Sequence, residues 1–93
     1  MRYPVTIIVP AALRGRCAGA AELPVTAGTV RDAVEILERD YGSLYQCLCD
    51  ETGAVRPHVN LFVNDDNIRD RVGLDTPLGP GDVVSILTAV SGG

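Results

Sequence analysis

Val83-Val84-Ser85-Ile86-Leu87-Thr88-Ala89-Val90-Ser91-Gly92-Gly93 closes the sequence. Over Val83 to Thr88, apolar residues fall on both alternating positions, the pattern of a strand in the middle of a sheet. The two glycines bring no side chains to a core. What they offer is a thin backbone able to enter a slot too narrow for any Cβ, with a carboxylate at Gly93. The expectation is a folded domain over 1–89 and a flexible Gly-Gly tail over 90–93, with cargo attached at Gly93.

Upstream, Pro80-Gly81-Asp82 turns the chain into this last strand, and Leu74 and Leu78 anchor an irregular crossing before it. Val59, Leu61 and Val63 alternate with Asn60, Phe62 and Asn64, predicting a strand over 58–64. Asn64-Asp65-Asp66-Asn67 reads as a turn leading to a small strand at 67–69. The polar stretch 50–57, with Gly53 and Pro57, reads as a surface loop, and 43–49 as a short helical piece.

Val30, Ala33, Val34, Leu37 and Tyr41 recur at helical spacing, with Thr29 as N-cap, Asp32 in the first turn and Gly42 as the stop. Two strands precede this helix, at 3–9 and 21–26, joined by a loop rich in glycine and arginine. Strand 3–9 is also apolar on both faces, so the sheet is expected to be covered at least partly on both sides. A helix crossing between the first and last strands fits a mixed sheet in which those two run parallel. The predicted class is α+β, a β-grasp (ubiquitin-like) mixed sheet of four to five strands packed on one main helix.

Composition narrows the function. The 93 residues carry a formal net charge of −4, and Phe62 and three tyrosines are the only aromatics. Nucleic-acid binders display basic stripes, so this balance argues against nucleic acid and favours a basic protein partner. All eight basic residues are arginine. Coding bias accounts for that, as does the advantage of keeping amines away from a reactive acyl terminus.

The segment from Ile7 to Leu13, followed by Ala18-Gly19-Ala20, has the outline of a signal peptide, but Arg14 and Arg16 interrupt it. No stretch approaches membrane-spanning length. With three cysteines expected to stay reduced, the expected location is cytoplasmic.

The remaining candidates for chemistry are weak. His58 has neither a second ligand nor a nucleophile beside it in sequence and reads as a surface residue. The 64–67 cluster lacks the spaced oxygens, central glycine and closing glutamate of a calcium loop. Cys17, Cys47 and Cys49 match no zinc, thioredoxin or ferredoxin spacing, and no phosphate loop follows a strand. No metal site and no tightly bound cofactor are expected. Gly93 is left as the reactive position.

The ending Gly81-Asp82 through Gly93, together with His58-Val59-Asn60-Leu61-Phe62-Val63-Asn64-Asp65-Asp66 and Ile68-Arg69, resembles the MoaD/ThiS family of ubiquitin-fold sulfur carriers. The resemblance spans nearly the whole chain. Length and the 50–57 loop look most like the carrier of sulfur-carrier-dependent cysteine biosynthesis. Thr88 stands where molybdopterin-type members often have proline.

The resemblance implies a protein cosubstrate rather than an enzyme. An E1-like enzyme would use ATP to adenylate the Gly93 carboxylate, and a sulfur donor would convert it to a thiocarboxylate. An acceptor synthase in a cysteine, thiosugar or cofactor pathway would then receive the sulfur. Gly92 would permit threading of the tail. Phe62 and Leu87, on the face away from the helix, would dock partners together with Val90 and Ser91, and the free chain would be a monomer. Two other readings stay open: a ubiquitin-like modifier joined through Gly93 to lysines of target proteins, and a purely structural subunit.

Overall fold

The computed structural model describes residues 1–88. Its strands are β1 (Tyr3–Ile8), β2 (Glu22–Ala27), β3 (Val59–Val63), β4 (Asp66–Asn67) and β5 (Val83–Thr88). They form one sheet in the order β2-β1-β5-β3-β4. β1 and β2 are an antiparallel hairpin pair, with Val5 opposite Val25 and Ile7 opposite Leu23. β5 runs parallel to β1, with Thr6, Ile7 and Ile8 opposite Val83, Val84 and Ser85, and antiparallel to β3. The expected β-grasp mixed sheet is present.

The crossover is α1 (Val30–Asp40). Thr29 caps it as its hydroxyl accepts from the Asp32 N–H at 3.2 Å, while the Asp32 carboxylate accepts from the Gly28 N–H at 3.0 Å. Two amide donors at the helix start are thereby satisfied, and the carboxylate sits at the positive end of the helix. Gly28 is also a close approach, because a Cβ there would collide with the Met1 carbonyl oxygen.

Helix α1 buries Val30, Ala33, Val34 and Leu37 against Val5, Ile7, Leu23, Val25, Leu61, Val84 and Ile86. The apolar parity of each strand thus faces the helix. Side chains on the other face, among them Thr6, Ile8, Phe62 and Ser85, are only half-buried. Apolar residues on both faces of β1 therefore do not reflect cover on both sides. One face packs on the helix and the other stays open to solvent.

Several local expectations change. Gly42 does not stop α1. The chain leaves helical geometry at Tyr41 (φ −139°), whose N–H donates to the Leu37 carbonyl at 2.7 Å. Gly42 opens a second helix, α2 (Gly42–Leu48), which buries Leu44 and Leu48 under the core. The 11–19 segment is not an open loop, since Ala11–Cys17 winds as a 3-10 helix. The Cys17 thiol donates to the Arg14 and Ala20 carbonyls at 3.5 and 3.4 Å.

The short strand lies at Asp66–Asn67 rather than 67–69. The Asn67 side chain accepts from the Arg69 N–H at 2.9 Å and draws Ile68–Asp70 into a 3-10 turn. The β3–β4 hairpin closes through Asn64 at φ 55°, a left-handed position that asparagine tolerates.

Leu37, 1% exposed beneath the sheet, and Leu87, 50% exposed on the open face, give the fold a direct test. Leu37→Ala should cost about 2–5 kcal/mol, whereas Leu87→Ala should change stability by less than about 0.5 kcal/mol. Urea denaturation of both variants measures the contrast, and equal losses would contradict this assignment of faces.

Candidate functional site

Val90, Ser91, Gly92 and Gly93 lie outside the described residues. What is described is the surface next to the point where β5 hands over to them. Thr88, the last residue of β5, pairs with Val59, and the preceding Leu87 pairs with Asn60. Phe62 lies opposite Ser85 on the same face as Leu87. The two apolar side chains therefore stand on adjacent strands in a diagonal relation, at a Cα separation of about 7–8 Å. Phe62 is half-buried and Leu87 is exposed, as their parity predicts.

The parallel register adds a residue that sequence reading did not single out. Ile8 lies opposite Ser85 on one side, and Phe62 lies opposite it on the other. A small residue thus sits between two large apolar ones, with Leu87 two residues farther along β5. Period-two alternation places Ile8 on this face, but only the β1–β5 register brings it beside Phe62. Across the strands, the open face presents Pro4, Thr6, Ile8, Pro24, Thr26, Asn60, Phe62, Val83, Ser85 and Leu87, with Glu22 as its charged member. This face is poor in charge for a chain of net charge −4.

The other candidates stay apart from it. His58 is exposed at the start of β3. Among the described residues no group of His, Cys, Asp and Glu side chains is placed to hold a metal ion. Cys17, Cys47 and Cys49 are free thiols.

A cavity of about 460 Å³ opens between α2 and the 50–57 loop, lined in part by Tyr45, Cys49, Asp50 and Arg56. Two of its charged groups, Asp50 and Arg56, are already engaged. Asp50 accepts from the Thr52 N–H, the Thr52 hydroxyl and the Ala54 N–H at 2.8, 2.6 and 3.2 Å, and the Thr52 bonds hold its carboxyl below the usual range. Arg56 donates to the Gln46 carbonyl at 3.0 Å. Burial pushes the Cys49 thiol up, so it is a poor nucleophile. Burial, reinforced by nearby anionic groups, likewise raises the Tyr45 phenol. This cavity holds a loop together and lacks a nucleophile paired with a base.

A five-stranded β-grasp sheet with one helix-covered face and one open face is the architecture of ubiquitin-like proteins. The sequence profile of the ThiS family matches residues 7–93. Sulfur carrier protein CysO of Mycobacterium tuberculosis is 34% identical over 91 residues, spanning 96% of this chain and 98% of that protein. The crystal structure of M. tuberculosis CysO superposes with a TM-score of 0.84 at 33% identity, covering 92% of this chain and 99% of that one.

Small archaeal modifier protein 1 of Methanosarcina acetivorans matches with a TM-score of 0.84 at 32% identity, over 100% of this chain and 99% of its own. A chain of the Amycolatopsis orientalis BexX/CysO complex matches with a TM-score of 0.82 at 29% identity, over 96% and 99%. The chain belongs to the ThiS family. It is a small carrier protein, not an enzyme.

The burial of the three thiols predicts their chemistry. Cys47 is partly exposed, while Cys17 and Cys49 are each 2% exposed. In native protein near pH 8, iodoacetamide should modify Cys47 first, and Cys17 and Cys49 only once denaturant is added. Peptide mapping after timed alkylation measures the order, and early modification of Cys49 would refute its assignment as buried and inert.

Proposed function

We propose that the protein is a sulfur carrier whose working group is the Gly93 carboxylate. The observation that carries this reading is the family match, which covers residues 7–93 and so includes Gly92 and Gly93. A carboxylate is unreactive toward nucleophiles until one oxygen becomes a good leaving group. An E1-like partner would achieve this by letting the carboxylate attack the α-phosphorus of ATP, with release of pyrophosphate. A sulfur donor would then displace AMP from the acyl adenylate and leave a thiocarboxylate, an anionic sulfur nucleophile.

The carrier itself needs no catalytic residues for these steps. It needs a slender end, which Gly92 and Gly93 supply, and a surface by which partners hold it while proximity drives the chemistry. The open face of Ile8, Phe62, Ser85 and Leu87, beside the end of β5, suits that second role. Val90 and Ser91 would line the neck between this face and the reactive end. The BexX/CysO complex, a solved assembly containing a similar chain, supports the idea of a carrier held by a partner protein. Similarity to proteins named CysO favours a cysteine precursor as the sulfur acceptor, ahead of thiosugar or cofactor pathways.

A second reading has its own support. Likeness to small archaeal modifier protein 1 fits conjugation of Gly93 to target lysines after the same activation. Both readings use the tail, and both place the protein in the cytoplasm as a monomer when free. No helix among the described residues is long and apolar enough to cross a membrane.

Intact-mass measurement of untagged protein from its native host separates the two. The carrier predicts a fraction heavier by the replacement of one oxygen with sulfur at Gly93. Recovery of unmodified protein together with Gly93–lysine adducts would favour the modifier instead. Deleting Gly92-Gly93 should abolish either activity, and a fully active truncated chain would eliminate both.

The docking role makes a further prediction. Phe62→Ala should weaken binding to the activating enzyme by roughly tenfold, the effect of removing an apolar anchor from an interface. Because Phe62 lies outside the core, the thermal transition should barely move. Titration calorimetry with both proteins measures the loss, and unchanged affinity would overturn the docking assignment.

A further inference from the structure

The outer edge of β3 carries a side-chain arrangement that neither the tail nor the open apolar face accounts for. β4 is only two residues long and pairs with Phe62 and Val63, so it leaves the first half of β3 without a neighbouring strand on that side. Asn64 donates its N–H to the Val83 carbonyl at 2.8 Å. The alternation of an antiparallel ladder then turns Phe62 and Asn60 toward β5, and the Val59 and Leu61 backbone groups toward the open edge. An exposed edge of this kind invites pairing with another chain or fraying.

Arg69, from the 3-10 turn Ile68–Asp70, occupies that place. One terminal nitrogen donates to the Val59 carbonyl at 2.8 Å and the Arg56 carbonyl at 3.1 Å. The other donates to the Asn60 side-chain oxygen at 2.9 Å and the Pro57 carbonyl at 3.3 Å. All four hydrogens of the two terminal nitrogens are thus directed at acceptors around the start of one strand. The same Asn60 oxygen accepts from the Asn67 side-chain amide at 3.3 Å, and Asn67 in turn caps the turn that presents Arg69.

The bonded residues have defined partners. Val59 and Asn60 stand opposite Thr88 and Leu87, the last two residues of β5. Asn60 and Asn67 also border the apolar patch, Asn67 lying opposite Phe62 and Asn60 opposite Leu87. We infer that Arg69 is a positioning residue. Its guanidinium stands in for the missing strand, clamps the first half of β3 against the end of β5, and so holds both the docking face and the point from which residues 89–93 depart. The link to docking rests on the proposed function, whereas the clamp itself does not. A lysine would not serve, because one ammonium cannot spread planar, paired donors over four acceptors.

Amide hydrogen exchange, followed by NMR on the uniformly labelled chain and on Arg69→Lys, tests the clamp. The substitution keeps the charge and most of the stem, which favours retention of the fold. The reporters are the amides of Asn60 and Leu87, which face each other across β3 and β5 in a hydrogen-bonded pair. Their exchange should quicken by roughly tenfold or more, the factor expected when charge-assisted bonds holding a segment are lost.

Core amides such as those of Ile7 and Leu37 should keep their wild-type rates. Wild-type protection at Asn60 and Leu87 would overturn the inference. So would equal acceleration at all amides, which would mark a general loss of stability. Should Arg69→Lys prove too unstable to study, Asn60→Ala removes one of the four acceptors and should give a smaller acceleration confined to the same region. Neither readout depends on sulfur transfer, so failure of the proposed function would leave the clamp standing.

Discussion

Parallel pairing of β1 with β5, through Thr6–Val83, Ile7–Val84 and Ile8–Ser85, is the constraint on which the rest of the molecule depends. The two strands are far apart in sequence, and parallel neighbours require a crossover. Helix α1 begins that crossover after the β1–β2 hairpin and covers one face of the sheet on the way. β5 lies between β1 and β3 over Val83–Ser85 and continues against β3 alone through Thr88, so the last described residues are held by the β3 ladder on one side. Pairing with β3 fixes the chain up to Thr88.

The same pairing divides the labour between the two faces of the sheet. Val84 and Ile86 go under the helix and contribute to the core. Ser85 and Leu87 go to the open face, where Ser85 separates Ile8 from Phe62. Alternate residues of one strand thus serve the core and the open face. The sheet edges follow a similar economy, with Arg69 filling the gap beside β3 and Pro24 lacking an N–H at the outer strand β2.

Much of this was legible from residue patterns. The period-two alternation in 59–63 and the helical spacing of Val30, Ala33, Val34 and Leu37 placed strand, helix and their buried faces correctly, because each depends on local geometry alone. The side of Phe62 and Leu87 followed from the same parity. Gly42 was misleading because a glycine after an apolar repeat signals a left-handed cap only if the chain uses it so. Here Tyr41 makes the break, and burial of Leu44 and Leu48 repays a second helix. The cover expected on both faces of β1 failed because local apolar composition does not say whether a second layer is present: Ile8 and Phe62 are only half-buried on the face away from α1.

By itself the sequence determined the main helix, the alternation of the main strands and the helix-facing parity of each. All of these are carried by residues near one another along the chain, where hydrogen-bond periodicity and side-chain volume suffice. Tertiary structure alone decided that Ile8 joins Phe62 and Leu87 around Ser85, and that Arg69 closes the edge of β3 beside Thr88. Those arrangements depend on strand register and on the path of the chain after β4. Both are set by the packing of distant segments against one another, and no short stretch of residues encodes them.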